Sequence, residues 1–174
     1  IPFLIHAKST QMSLESVRAF FAEKAPDIAV IESEISSATV ALAAQAYGVE
    51  PGRIAKTLSL RVGDRVVLIV AAGTARMDNR KVKARFGGKP KMLAAEEVAA
   101  ITGHEVGGVC PFGLKTPLPV YCDVSLRAFD EVVPAAGSTH SAVRIAPMRM
   151  AELTAAEWVD VCGENVNQPI LPSS

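Results

Sequence analysis

"RIAKTLSLRVGDRVVLIVAAG", residues 53–73, contains two runs of β-branched and aliphatic residues separated by Gly63-Asp64. A two-residue connection of this type favours a β-hairpin with a primed turn, because glycine adopts a positive φ without steric cost. The stretch therefore predicts a pair of antiparallel strands on which the remaining elements pair or pack.

Helical patterns lie on both sides of this hairpin. Residues 13–26 carry apolar side chains at helical spacing after Ser13, the predicted N-cap, and residues 36–48 predict a short helix that ends at Gly48. Two further helices are predicted after the hairpin, one that Asp78 caps and one that Gly103 ends.

The rest of the chain predicts short strands in 118–126, 131–137 and 141–147, and a last helix or two in 148–158. Helices and strands do not alternate strictly, which argues against a doubly wound nucleotide-binding fold. The sequence therefore predicts an α+β fold with a mixed, strongly curved sheet.

Length and composition indicate one domain of 174 residues with 49% apolar residues. We expect the working domain at 12–165, a cloning scar or upstream extension at 1–11, and a flexible tail at 166–174. No apolar segment approaches the roughly 20 residues of a membrane span. No secretory signal is visible, and the three cysteines are widely spaced, so a reducing cytoplasm is the expected location.

The net charge is zero, but residues 76–91 carry a net charge of +6. The positive side chains of this basic stretch are Arg76, Arg80, Lys81, Lys83, Arg85, Lys89 and Lys91. They are either a solvated helix face with a basic loop, or a phosphate-binding surface where Gly87-Gly88 allows close backbone approach. Phe86 is the one aromatic residue among them, so stacking on single-stranded bases is not indicated.

Familiar catalytic motifs such as GxSxG, the Walker loop, HExxH and CxxC are absent. The histidines His6, His104 and His140 do not have ligand spacing with the cysteines, so neither a zinc site nor another metal is expected. Cys110 could form a thiol–imidazole pair with His104 or His140, or be a small packed residue in a glycine loop.

Lys56 alternates onto the same strand face as Leu58 and Leu60, which is an unusual place for a cation. It is either a strand-end lysine whose amine extends to solvent, or a cation that meets an anionic or carbonyl group in a pocket.

The glycine-rich segment "TGHEVGGVCPFG" (102–113), together with "IAKTL" (54–58), "MDNRKV" (77–82) and "AAGS" (135–138), resembles the YbaK-like family of trans-editing deacylases. This family is related to the editing domain of bacterial prolyl-tRNA synthetases. The resemblance covers nearly the whole domain. It implies a barrel-like mixed sheet surrounded by helices, and hydrolysis of the ester of wrongly charged tRNA without a cofactor.

The resemblance also implies the site. Its GxxxP loop corresponds to Gly107, Gly108, Val109, Cys110 and Pro111, whose backbone N–H groups would face the aminoacyl carbonyl, with Pro111 holding the loop's shape. Lys56 would contact the carbonyl or the terminal phosphate of the tRNA. Ser138 and His140 would line the substrate pocket, and the basic stretch would hold the acceptor stem.

The implied substrates are esters of small amino acids, namely alanine, cysteine, serine, threonine or 2-aminobutyrate. The strand reads Lys56-Thr57-Leu58, whereas the alanine-specific branch of the family has Lys-Asn-Leu, so strict alanine specificity is not expected. The implied partners are the acceptor end of mischarged tRNA, above all tRNA(Pro), and a prolyl-tRNA synthetase, with no role for DNA or membrane. Two alternatives stay open: a non-catalytic module that binds tRNA or a synthetase, and a hydrolase of small esters that depends on Cys110.

Overall fold

The first helix, α1 (Pro2–Lys24), begins well before the predicted start. The computed structural model describes residues 2–163, and it describes side chains from Ser13 to Gly163. The prediction of Ser13 as an N-cap is wrong, because Ser13 lies within α1 and is buried. The predicted tail at 166–174 lies outside the described residues.

The predicted hairpin is confirmed. Strands β2 (Ile54–Val62) and β3 (Arg65–Ala72) pair antiparallel, and the pair Val62–Arg65 closes on the two-residue turn. Gly63 has φ 62° and Asp64 has no positive φ, which is the sign pattern of a II′ turn.

Eight shorter strands accompany this hairpin: β1 (Ile31–Glu32), β4 (Arg76–Met77), β5 (Pro90–Met92), β6 (Val120–Asp123), β7 (Val133–Pro134), β8 (Ser141–Ala142), β9 (Glu157–Val159) and β10 (Cys162–Gly163). The main sheet has the order β5-β2-β3-β6-β9, with β7 also beside β2. Strand β2 pairs antiparallel with β3 and with β5. Strand β6 pairs parallel with β3 on one side and with β9 on the other. The mixed α+β prediction is therefore confirmed. Within residues 2–163 no pairing joins β5 to β9, so no closed barrel forms there, and strong curvature stays a prediction.

Four further helices follow α1: α2 (Val40–Tyr47), α3 (Asn79–Phe86), α4 (Ala95–Thr102) and α5 (Pro147–Leu153). The first three end at Gly48, Gly87 and Gly103, which are all left-handed. Asp78 caps α3 by accepting from the N–H groups of Arg80 and Lys81.

The prediction of helix through Trp158 is wrong. After α5 ends, Ala155 adopts φ 53°, and Trp158 then pairs with Cys122 in the β6–β9 ladder. The left-handed residue breaks the helical run, and pairing with a buried strand outweighs local helix propensity.

Apolar side chains cover both faces of the sheet. Phe21 of α1 packs with Leu68 and Phe112 on one side, while Leu60 packs with Val82 of α3 on the other. A third cluster lies between α2 and the start of β2 and borders the cavity described below. No helix within residues 2–163 has the length and apolar character needed to cross a membrane.

Candidate active site

A cavity of about 240 Å³ lies where the first half of β2 meets α2, the loop after α4 and the segment around β8. Its wall includes Ala43, Tyr47, Ile54, Lys56, Thr57, Met92, Val106, Gly107, Val109 and Ala142. This volume is below the roughly 300–1,000 Å³ of sites for drug-sized ligands, so the cavity suits a small group.

The loop of residues 107–111, which we call the glycine loop, forms one wall of this cavity. Two backbone hydrogen bonds hold it in place. The N–H of Gly108 donates to Glu105 O at 2.9 Å, and Gly108 O accepts from the N–H of Gly137 at 3.0 Å. Gly107 has φ 96°, a conformation that other residues rarely adopt. A Cβ on Gly108 would lie 2.7 Å from Ser138 N, so both glycines are required by the loop's shape.

Three N–H groups of this loop remain available. Those of Gly107, Val109 and Cys110 donate to no acceptor in the described part of the chain, while Pro111 has no N–H. Gly107 and Val109 also line the cavity. The loop thus combines close backbone approach with unused hydrogen-bond donors.

Lys56 lines the same cavity and is partly buried. Its Nζ donates to Gly73 O at 3.2 Å and also to Ala75 O. Burial lowers the pKa of this amine, and the positive charge of Arg76 lowers it further. The side chain is therefore neither extended to solvent nor unpartnered, since its charge is held by two backbone carbonyls.

Cys110 and His104 are brought together, but not as a nucleophile and a base. The Sγ of Cys110 lies 3.6 Å from His104 Nε2, and both residues are 0% exposed. Nε2 lies 2.8 Å from Phe112 O, and because a carbonyl only accepts, this nitrogen must carry the proton. It therefore cannot take the thiol proton.

The charge state of this pair agrees with a packing role. Burial raises the pKa of the Cys110 thiol to about 12 and lowers the pKa of His104. The other ring nitrogen, Nδ1, is hydrogen-bonded to the hydroxyl of Ser13. The imidazole thus ties α1 to the end of the glycine loop.

Ser138 and His140 lie next to the cavity but do not form its wall. The Ser138 hydroxyl is 2.6 Å from that of Ser141, which does line the cavity. His140 is exposed, and its Nδ1 lies 2.8 Å from Thr139 Oγ1.

The basic stretch divides into paired and unpaired cations. Lys81 forms an ion pair with Asp160 at 3.0 Å, and Arg85 forms one with Glu157. Arg76, Arg80, Lys83, Lys89 and Lys91 form no ion pair with any described residue. Lys91 is in β5, directly before Met92 of the cavity wall.

The sequence analysis did not single out Tyr47, Met92 or Val106. Met92 and Val106 are 56% and 59% exposed although they are apolar, and they form the rim of the cavity. No periodic pattern marks them, because the wall combines segments that are distant in the chain. Among the described side chains, no group of three or more His, Cys, Asp or Glu could hold a metal ion, and that of His6 is not described.

Comparison with known proteins agrees with this fold. The sequence model of the aminoacyl-tRNA editing domain matches residues 35–153, which is more than half of the chain. The chain therefore belongs to the aminoacyl-tRNA editing domain family, to which the YbaK-like proteins belong, and the predicted resemblance is confirmed.

Two individual relatives match over nearly their whole length, and a third matches over a small part of it. The uncharacterised protein YwhH of Bacillus subtilis (strain 168) is 51% identical over 87% of this chain and 98% of its own. The candidate Cys-tRNA(Pro)/Cys-tRNA(Cys) deacylase EbsC of Enterococcus faecalis is 29% identical over 88% and 96%. A proline–tRNA ligase of Bacillus licheniformis is 30% identical over 58% of this chain but only 18% of the ligase.

A solved structure also matches nearly end to end. It is that of a candidate trans-editing enzyme for prolyl tRNA synthetase, with a TM-score of 0.81 and 33% identity. The match covers 87% of this chain and 98% of that chain.

Proposed function

We propose that this protein is a trans-acting deacylase that hydrolyses the ester between a small amino acid and tRNA, with tRNA(Pro) as the favoured carrier. The observation that carries the proposal is the glycine loop, which presents unused N–H groups at a small cavity. The family membership and the relatives named for tRNA(Pro) and prolyl-tRNA synthetase support it.

The loop's donors suit stabilisation of an oxyanion. When water attacks the ester carbonyl, negative charge develops on the carbonyl oxygen, and fixed N–H donors stabilise it by about 3 kcal/mol each in enzymes where one was removed. Gly107 and Val109 are the donors nearest the ligand space, since both line the cavity. The glycine loop is thus expected to act through its backbone.

No side-chain base is needed in this scheme. None of the described residues that line the cavity carries a carboxylate or an imidazole. A bound water adds to the carbonyl carbon, the bond from that carbon to the ribose oxygen breaks, and the proton ends on the departing ribose oxygen. The neighbouring ribose hydroxyl can relay that proton, and positioning supplies much of the rate.

Lys56 is suited to orient the ester. An ammonium has three N–H donors, and two are used on Gly73 O and Ala75 O. The third can donate to the carbonyl oxygen of the ester or to the terminal phosphate. Its partial burial strengthens that interaction because the surroundings are less polar than water.

The tRNA would be held by the unpaired cations of the basic stretch. Lys91 lies beside the cavity wall, Arg80 and Lys83 are on α3, Arg76 is in β4 before that helix, and Lys89 follows it. Such contacts go to phosphates and position the acceptor stem without reading its sequence. A prolyl-tRNA synthetase is the proposed source of the mischarged tRNA.

The test is release of amino acid from tRNA(Pro) charged separately with alanine, serine, cysteine, 2-aminobutyrate and proline. We expect rapid loss of at least one small ester, sparing of the prolyl ester, and near-complete loss of activity in Lys56→Ala. Lys24→Ala, at the end of α1, is the matched control.

Release at the spontaneous rate from all five esters would overturn the proposal for tRNA(Pro). Binding of tRNA without any release would favour the non-catalytic module instead.

A further inference from the structure

Two residues of the cavity wall each carry a buried hydroxyl group that has no hydrogen-bond partner among the described residues. Tyr47 Oη and Thr57 Oγ1 are the two buried side-chain oxygens without a partner among the described residues. Both residues line the cavity. Because buried polar groups in native proteins are nearly always hydrogen-bonded, two unpaired hydroxyls in one cavity point to a ligand that completes them.

The surroundings of Tyr47 do not supply that partner. Tyr47 is 8% exposed and packs with Ala43, Ile54 and Val133. Burial raises the pKa of Tyr47 and outweighs the nearby Ser37 hydroxyl, which acts to lower it. The two hydroxyl oxygens do not have hydrogen-bonding geometry. The Ser37 hydroxyl itself donates to Thr139 O at 2.9 Å.

Thr57 lies on β2 directly after Lys56, and it is paired with Val70 in the ladder. Its backbone is therefore used by the sheet, and the residue is part of the cavity wall. A threonine hydroxyl and a tyrosine hydroxyl can each donate one hydrogen bond and accept at least one.

We infer that the hydroxyls of Tyr47 and Thr57 bind the side-chain hydroxyl of the acyl group, so that the preferred substrates are esters of β-hydroxy amino acids. The inference rests on the proposed deacylase function and names its substrate class. Serine and threonine belong to this class, whereas alanine and 2-aminobutyrate do not.

The chemistry of the wall favours a hydroxyl over the other polar groups of an aminoacyl ester. The α-ammonium group only donates and carries a charge, and no carboxylate is present among the described lining residues to pair with it. A side-chain hydroxyl is neutral and both donates and accepts, which matches the two unpaired groups. A thiol is a weaker donor and acceptor, so a cysteinyl ester is expected to rank between the two classes.

The experiment compares seryl-tRNA(Pro) with 2-aminobutyryl-tRNA(Pro), whose side chains are nearly equal in size and differ in the hydroxyl. In single-turnover assays we expect the wild type to favour the seryl ester by about tenfold or more, because sites built to bind a hydroxyl strongly reject analogues that lack it. Tyr47→Phe and Thr57→Val should each reduce this ratio. Tyr121→Phe, which changes a tyrosine on the α3 side of the sheet, should leave it unchanged.

The outcomes separate this inference from the proposed function. Hydrolysis of both esters with a ratio near one, or a ratio that neither Tyr47→Phe nor Thr57→Val changes, overturns the inference and leaves the deacylase intact. Release of neither ester, nor of alanyl, cysteinyl or threonyl esters, overturns both.

Thermal unfolding gives a second readout without tRNA. Tyr47→Phe should unfold at the same temperature as the wild type or higher, because it removes a hydroxyl that has no partner. A clear decrease in that temperature would mean that the hydroxyl is bonded within the protein, which would also overturn the inference.

Discussion

The carbonyl oxygen of Gly108 accepts a 3.0 Å hydrogen bond from the N–H of Gly137, which joins the glycine loop to the turn before β8. A Cβ on Gly137 would in turn lie 2.7 Å from Ser13 O of α1. Helix, turn and loop are therefore stacked in direct backbone contact. The position of the loop's N–H groups depends on this contact.

Replacing Gly108 with alanine should damage both stability and activity. The new Cβ would lie 2.7–2.8 Å from three backbone atoms of Ser138, which cannot move independently. We expect a loss of about 1–3 kcal/mol in the free energy of unfolding, measured in urea, and at least a roughly tenfold slower deacylation. Gly163→Ala, whose Cβ would lie at an ordinary contact distance of 3.5 Å from Asp78 Oδ2, is the control. A Gly108→Ala protein as active as the wild type would contradict the backbone-donor role.

Replacing Cys110 with alanine should leave deacylation within about threefold of the wild type while lowering the free energy of unfolding by roughly 0.5–3 kcal/mol. The reason is that the thiol is buried and protonated, with its pKa raised to about 12, and acts by packing. Deacylation rates and urea denaturation curves, measured on the same preparations, check the activity and the stability parts of this prediction. Abolished activity in a folded variant would revive the Cys110-dependent hydrolase.

The unpaired cations should dominate tRNA affinity. The double variant Lys83→Ala/Lys91→Ala is expected to weaken binding of uncharged tRNA and to lower the slope of log affinity against log salt by about 1–2, because each phosphate contact releases counterions. Lys81 is already paired with Asp160, so Lys81→Ala should change the slope less. Fluorescence titrations at several KCl concentrations measure both. Equal slopes in all three proteins would indicate that the basic stretch is a solvated surface.

Stability should fall as the pH drops below the ordinary His pKa of 6.5, in part because of His104. Burial lowers the pKa of this imidazole in the folded protein, so between 6.5 and that lower value the unfolded chain binds a proton that the folded protein does not. Urea denaturation at pH 5 to 8 should therefore show a smaller pH dependence in His104→Gln than in the wild type. The exposed His140 provides the control variant, His140→Gln. An identical pH dependence of the free energy of unfolding in the wild type and in His104→Gln would contradict the attribution of this effect to His104.

Local features of the fold were predictable because they depend on adjacent residues. The turn at Gly63-Asp64 and the helix ends at Gly48 and Gly103 follow from backbone preferences of glycine. Ser13 is not an N-cap because the helix begins N-terminal to the predicted start. Trp158 is in a strand rather than a helix because it pairs with a strand more than 30 residues earlier in the chain. Tertiary pairing of this kind leaves no local signal.

The candidate site was predictable only in part, for the same reason. Lys56 is noticeable in the sequence as a cation on an apolar strand face, and the glycine loop is noticeable for its glycine content. The structure places both in the wall of one cavity. The unpaired hydroxyl of Tyr47 could not be inferred, since a tyrosine at a helix end is ordinary until its surroundings are known. The carbonyls of Gly73 and Ala75 that hold Lys56 likewise depend on how the chain leaves β3.

The cavity is formed by segments from Ser37 to Ala142, so it exists only when the whole fold is assembled. Any molecule that binds there and not to the unfolded chain must raise the melting temperature by mass action, with a stabilisation of about 2.7 kcal/mol at a concentration 100 times its dissociation constant. Non-hydrolysable amide analogues of aminoacyl adenosine can therefore be ranked by thermal shift alone. Such a ranking would order the side chains that the protein accepts before any charged tRNA is prepared.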